Sequence, residues 1–273
     1  SDFVVGAAND DTSGKTNNGS VHVVLGRSTH PSGLTQVVCD AEVFEGYGSE
    51  DQLGRSLAVI PDMDGDGCDE FAAGADEADF GGLSNQGAVH IFFGHDGGAP
   101  GGCKDSPEVL TLVPQDSGAR AGWSLDAGDD VDGDGLPDLA VGAYNLTVLL
   151  DNVGGGWVVP GSYLAGLATE AASVVTPTLL HPLGDGSVRS RVVGRYDGGR
   201  AGRSVALVAP YGTRGLGGLL IGEPRGHGAG SSDSGGARLH LFDPLASEAG
   251  LERSAVFTHG GETASSGGQV GEW

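Results

Sequence analysis

The chain has 273 residues, 52 of them glycine, and sets 37 acidic side chains against 14 Lys and Arg, a formal charge of −23. That balance excludes phosphate-backbone binding as a default, so no nucleic-acid partner is expected. No apolar run approaches the roughly 18 residues of a membrane span and no charged-then-apolar leader precedes Asp2, so no membrane span is expected in this chain.

The first predicted strand, Asp2-Phe3-Val4-Val5-Gly6-Ala7, returns as Glu70-Phe71-Ala72-Ala73-Gly74-Ala75, as Asp138-Leu139-Ala140-Val141-Gly142-Ala143 and, more weakly, as Gly218-Leu219-Leu220-Ile221-Gly222-Glu223. Its glycines lie 68, 68 and 80 residues apart. A second strand, Val21 to Gly26, recurs as Val89 to Gly94 and Trp157 to Gly161. A third motif, Gly54-Arg55-Ser56-Leu57, recurs as Gly122-Trp123-Ser124-Leu125 and Gly202-Arg203-Ser204-Val205. The third repeat carries an insertion between Gly161 and Gly202, in which Leu164 to Ala172 reads as a short helical turn.

Each period holds four short apolar segments separated by Gly, Asp, Ser and Pro clusters, and no long amphipathic helix intervenes. Four strands without a helix to cover them must bury their faces against neighbouring repeats, which radial stacking of four-stranded blades achieves. The expected fold is all-β, a single β-propeller domain over 1–273 with repeats at about 1–55, 56–123, 124–203 and 204–273. A linear solenoid usually has much shorter rungs. Gly271 takes the place of Gly202 and Asp2 that of Glu70, so the four repeats are expected to form part of a larger ring.

Two loops carry the chemistry: Asp62-Met63-Asp64-Gly65-Asp66-Gly67-Cys68-Asp69-Glu70 and Asp130-Val131-Asp132-Gly133-Asp134-Gly135-Leu136-Pro137-Asp138. Acids at loop positions 1, 3 and 5 converge on one centre, and such a charge concentration calls for a hard cation with oxygen ligands, Ca2+. The carbonyls of Cys68 and Leu136 and the carboxylates of Glu70 and Asp138 complete the two expected shells. An EF-hand would need Glu at position 12, where Ala73 and Val141 stand inside a strand. Asp2 is the last ligand of a third loop, truncated at the N-terminus. In the fourth repeat Pro210, Gly212, Arg214 and Gly218 replace the acids, so that loop is expected to hold no metal, with Arg214 near the vacated centre.

Other residues carry weaker signals. His22 and His90 share one strand position, which points to a structural role, and His240 reads as one residue out of register. The Gly-x-Ser motifs lack the second glycine of a nucleophile elbow. No enzymatic activity is expected. Cys68 and Cys103 fall where a bridge could join one face of one blade, leaving Cys39 unpaired. Asn145-Leu146-Thr147 is a glycosylation sequon.

Taken in order, Gly-x-Ser-Leu, Asp-x-Asp-Gly-Asp-Gly-x-x-Asp/Glu-Phe/Leu, Val-Gly-Ala and Phe-Phe-Gly resemble the FG-GAP repeats of the integrin alpha-subunit propeller and its bacterial relatives, over essentially the whole chain. The resemblance implies a ring of up to seven blades, Ca2+ between the first and second strands of some blades, and an extracellular or cell-surface adhesion or recognition module whose partner is an extracellular protein ligand or partner subunit. It also implies a recognition face opposite the metal loops, built from the 9–19, 76–87 and 145–156 loops with Tyr47, Arg120, Tyr196 and Arg200. The alternatives are a lectin-like propeller that binds glycan and the accessory propeller of a polysaccharide-degrading enzyme.

Overall fold

The computed structural model describes residues 2–24, 41–95, 109–148, 152–168, 177–180, 190–211, 216–225, 235–242 and 251–257. Its strands form four sheets, antiparallel throughout apart from one parallel edge strand. The first contains β1 (Phe3–Ala7), β2 (Ser20–Val24) and β3 (Ala41–Glu45). The second contains β4 (Leu57–Ile60), β5 (Glu70–Ala75), β6 (Ala88–Phe92) and β7 (Val109–Pro114). In the third, β8 (Ala121–Ala127), β9 (Leu139–Ala143) and β10 (Gly155–Val159) are joined at the outer edge by β12 (Ser190–Val193). The fourth runs β13 (Val205–Tyr211), β14 (Leu216–Glu223), β15 (Gly236–Phe242) and β16 (Leu251–Phe257). The protein is an all-β propeller of four-stranded blades, as the repeat implies.

Within a strand, alternate residues face opposite sides of the sheet. In the second and third sheets both sides are buried, each against a different blade. Ala73, Phe92 and Val113 of the second sheet pack towards the first, where Phe44 meets the Phe92 ring at 4.4 Å. Their neighbours Ala72, Ile91 and Leu112 pack towards Leu139, Val141 and Trp157 of the third sheet. From the third sheet, Ala140 and Val158 turn the other way, to Leu207, Leu219 and Ile221 of the fourth. Each core is therefore an interface between blades, which explains why the strands read as unbroken apolar runs. The inner strands β4, β8 and β13 lie next to one another, and the Leu207 amide of β13 donates to Asp126 of β8 at 2.7 Å.

The insertion of the third repeat does two things. Helix α1 (Gly161–Ala168) begins right after Pro160, three residues earlier than the sequence suggests, and residues 169–172 lie outside the described set. It buries Leu164 in the core shared by the second and third sheets, with Tyr163 and Leu167 packed alongside. Further on, β11 (Pro177–Leu180) adds to the outer edge of the second sheet as a parallel partner of β7. The insertion thus clasps two blades together instead of decorating one.

Strand pairing also settles the histidines. His22 faces Val5 and His90 faces Ala73, each beside the strand glycine, and the equivalent places on β10 and β15 are held by Trp157 and Arg238. His240 lies two residues beyond Arg238, not one, and so faces the same side of its sheet. His90 is buried, bonds the Thr111 hydroxyl at 2.8 Å and contacts the Tyr47 ring.

Candidate metal centres and the opposite face

The two acidic loops join the first and second strands of the second and third blades. Their sequence dictates their shape. Gly65 and Gly67 adopt φ of 79° and 94°, and Gly133 and Gly135 adopt 82° and 93°, a region that L side chains rarely enter. Those left-handed residues let the chain coil so that its amides bond the acids of its own turn. Gly67 N–H donates to Asp62 at 3.1 Å, Asp66 N–H to Asp64 at 3.2 Å and Cys68 N–H to Asp66 at 2.9 Å. The second loop repeats this with Gly135 to Asp130 at 2.9 Å, Asp134 to Asp132 at 3.1 Å and Leu136 to Asp134 at 2.9 Å.

In the first loop Asp62, Asp64 and Asp66 bring one carboxylate oxygen each within 4.8 Å of one another. In the second, the same closeness unites Asp130, Asp132 and Asp138. Glu70 and Asp138 are both buried beneath their loops, and each accepts the amide at position 2, Met63 at 2.7 Å and Val131 at 2.8 Å. Burial pushes each carboxyl up to about 7, against the pull of those amides, and the neighbouring aspartates push in the same direction as burial.

The loops differ in one respect. Asp134 turns one oxygen to the Leu136 amide and the other to the Ser162 amide at 3.1 Å, while Asp138 accepts the Gly161 amide at 2.9 Å. The start of α1 therefore rests on the second loop, and Asp134 stands outside the trio. In the first loop, which has no such helix among the described residues, Asp66 Oδ2 is buried with no hydrogen-bond partner.

The remaining expected ligands fall as follows. Cys68 is disulfide-bonded, and Cys103, the partner expected from the sequence, lies outside the described residues. Asp2 stands exposed just before β1, outside both acidic groups. Arg214 and Gly212 of the fourth loop also lie outside the described residues, between β13 and β14.

At the far end of β5 and β9 from these loops is a second surface. There the 76–87 and 145–156 loops meet the segments that enter the next blade: Arg120 N–H donates to Asn85 at 3.2 Å and Arg200 N–H to Asn152 at 3.2 Å. Arg120 and Arg200 occupy the same left-handed position, at φ of 58° and 56°. Sequence reasoning found those two arginines but missed the residues three places later, Trp123 and Arg203, and their counterpart Arg55. The signal was the variable position of the Gly-x-Ser motif, whose three occupants the fold stacks together. The sequon Asn145 spends its side-chain N–H on the Gly118 carbonyl at 2.8 Å.

Among the described residues no helix is long and apolar enough to cross a membrane. The family model for the FG-GAP repeat matches residues 53–92 and 121–159, the second and third blades with their acidic loops. Among characterised proteins, the chain is 34% identical over 147 residues to phosphatidylinositol-glycan-specific phospholipase D of Homo sapiens, covering 52% of this chain and 16% of that protein. It is 33% identical over 140 residues to integrin alpha-PS2 of Drosophila melanogaster, covering 50% of this chain and 9% of that protein. With integrin alpha-5 of Xenopus laevis it shares 38% over 110 residues, 39% of this chain and 10% of that one. The matched segment is thus a small part of each relative. Two segments of this chain, residues 53–92 and 121–159, are thus FG-GAP repeats, in a chain similar to integrin alpha subunits.

Proposed function

We propose that the chain is a calcium-stabilised propeller acting as an extracellular adhesion or recognition module, which binds a protein partner and carries out no catalysis of its own. The observation that carries the calcium reading is the pair of repeat-equivalent acidic loops, with Asp66 Oδ2 buried and unpartnered in the first. A buried carboxylate oxygen without a partner is costly, and an all-oxygen, flexible donor set suits Ca2+ over softer cations. Asp62, Asp64, Asp66 and Glu70 with the Cys68 carbonyl would hold one ion. Asp130, Asp132, Asp134 and Asp138 with the Leu136 carbonyl would hold the other. Bound there, Ca2+ supplies charge neutralisation and ties β4 to β5 and β8 to β9. Similarity to integrin alpha subunits supports a protein partner and a surface location.

Similarity to a phospholipase D favours a second reading, an accessory propeller attached to an enzyme. Calorimetric titration separates the calcium claim from the rest: two equivalents of Ca2+ are expected, one after Asp64→Asn. The absence of binding would sink it. Capture of surface proteins by the Ca2+-loaded chain, run beside a glycan array, tests recognition; binding to glycans alone would favour the lectin reading.

A further inference from the structure

The two acidic loops have different neighbours at one ligand position. In the third blade the chain leaves β10 through Pro160 and enters α1 at once, so the first amides of the helix, which have no partner inside it, meet the second loop. Gly161 N–H donates to Asp138 Oδ1 at 2.9 Å and Ser162 N–H to Asp134 Oδ2 at 3.1 Å. Asp134 Oδ1 already accepts the Leu136 amide at 2.9 Å, so both oxygens of this carboxylate serve backbone amides. In the second blade Gly94 fills the place of Gly161, and its amide likewise bonds the last carboxylate of the loop, Glu70. The next residue differs: His95 stands where Ser162 does, and its ring bonds Glu42 of the first blade at 2.8 Å. Asp66, the counterpart of Asp134, therefore gives Oδ1 to the Cys68 amide at 2.9 Å and keeps Oδ2 buried with no hydrogen-bond partner. The converging trios follow this difference, with Asp66 included in the first and Asp134 absent from the second.

From this contrast we infer that the insertion makes the second loop the weaker of two unequal calcium sites and couples its occupancy to α1. Asp134 holds the start of the helix in the ion-free loop and gives up the Ser162 amide when it joins the ligands of an ion. A backbone amide bound to a carboxylate forms a charge-assisted hydrogen bond, one of the stronger kinds. Asp134 loses such a bond on turning towards the ion, whereas Asp66 Oδ2 has none to lose. The helix end also lends partial positive charge to Asp134 and Asp138, part of the neutralisation that the first loop draws from a cation. Leu164, fully buried between the second and third sheets, holds the rest of α1 in place. The release is therefore confined to the first turn, and the insertion acts as a strap across two blades whose near end loosens as the second loop fills.

This coupling rests on the calcium reading above. Calorimetric titration with Ca2+ tests it on single-site chains: Asp64→Asn leaves the second loop intact and Asp132→Asn the first. The second loop is expected to bind about tenfold more weakly, the equivalent of one hydrogen bond lost. Because the loops differ at other positions too, the deciding variant is Ser162→Pro. It deletes the amide yet is tolerated in the first turn of a helix, where that N–H has no intrahelical partner. Added to Asp64→Asn it should tighten binding about tenfold, and added to Asp132→Asn it should change nothing. Ser162→Ala keeps the amide and should leave both sites as they were. Circular dichroism melts check that each variant is folded, and hydrogen exchange on the unsubstituted chain gives a second readout that needs no variant. Exchange at the Ser162 amide should quicken in Ca2+ while the amides of β8 and β9 hold or slow. Unchanged or weaker binding after Ser162→Pro, or slower exchange at Ser162 in Ca2+, would overturn the coupling and leave the calcium reading standing. If neither single-site chain binds Ca2+, the calcium reading falls and the coupling with it.

Discussion

The hydroxyl of Ser56 donates to the carbonyl of Gly122, the residue that opens the next blade, at 2.7 Å. Ser124 does the same to Gly202 at 3.0 Å, so the serines of the first two Gly-x-Ser motifs reach across an interface to the glycine of the following motif. The strand glycine joins the same contact. A Cβ on Gly74 would overlap the Gly122 carbonyl oxygen, and one on Gly142 would meet that of Gly202. The motif glycines and serines are therefore the joints between blades.

Substitution should separate the parts of this joint. Ser124→Ala removes one hydrogen bond and is expected to cost about 1 kcal/mol. Gly74→Ala forces backbone apart in a packed interface and should cost about 3 kcal/mol. Urea unfolding followed by circular dichroism measures both, and equal effects would contradict the geometry.

Helix α1 is predicted to contribute stability through Leu164, which is fully buried between two blades. Leu164→Ala should lower unfolding free energy by about 3 kcal/mol, as core truncations of this size do. A loss below about 0.5 kcal/mol would show that the helix merely rests on the surface.

Burial depresses His90 to about 4 from an ordinary value of 6.5. A depressed histidine is neutral when folded but takes up a proton when unfolded, so its contribution to stability is intact above pH 6.5 and is lost as pH falls towards 4. The difference of roughly two and a half pH units corresponds to about 3 kcal/mol. Unfolding of the Ca2+-loaded chain at pH 7 and pH 4, compared with His90→Gln, isolates the effect: the variant should lose less stability on acidification. Parallel losses would show that His90 is hydrated.

Because Cys68 is disulfide-bonded and the chain has three cysteines, a folded, unreduced monomer should expose one free thiol on denaturation. Maleimide labelling followed by intact mass counts it. Three labels would show the bridge to be absent.

Much of this was legible before any coordinates. The spacing of Gly6, Gly74 and Gly142 defines the blades, since a glycine needed for close backbone approach must recur wherever the approach recurs. The acidic loops were equally plain, because the left-handed turns they make require glycine at fixed places between the acids. Less visible was the path of the insertion. Neither the parallel addition of β11 to β7 nor the capping of Asp134 and Asp138 by α1 follows from periodicity, because both are long-range contacts made by residues outside the repeat. His240 escaped correct registration for a similar reason: identical residue types suggested an alignment that strand pairing corrects. The Arg55, Trp123 and Arg203 row was hidden because a repeat comparison discards its variable position, and the fold brings those discarded residues together.

The central claim, that the two acidic loops hold calcium and thereby lock the blades, is tested most directly by thermal unfolding in millimolar Ca2+ against excess EDTA. Ligand bound only to the folded state raises the midpoint, and two sites of micromolar affinity should raise it by about 10 °C. The Asp64→Asn, Asp132→Asn double variant should lose most of that rise. A cooperative melt with the same midpoint in Ca2+ and in EDTA would contradict the account.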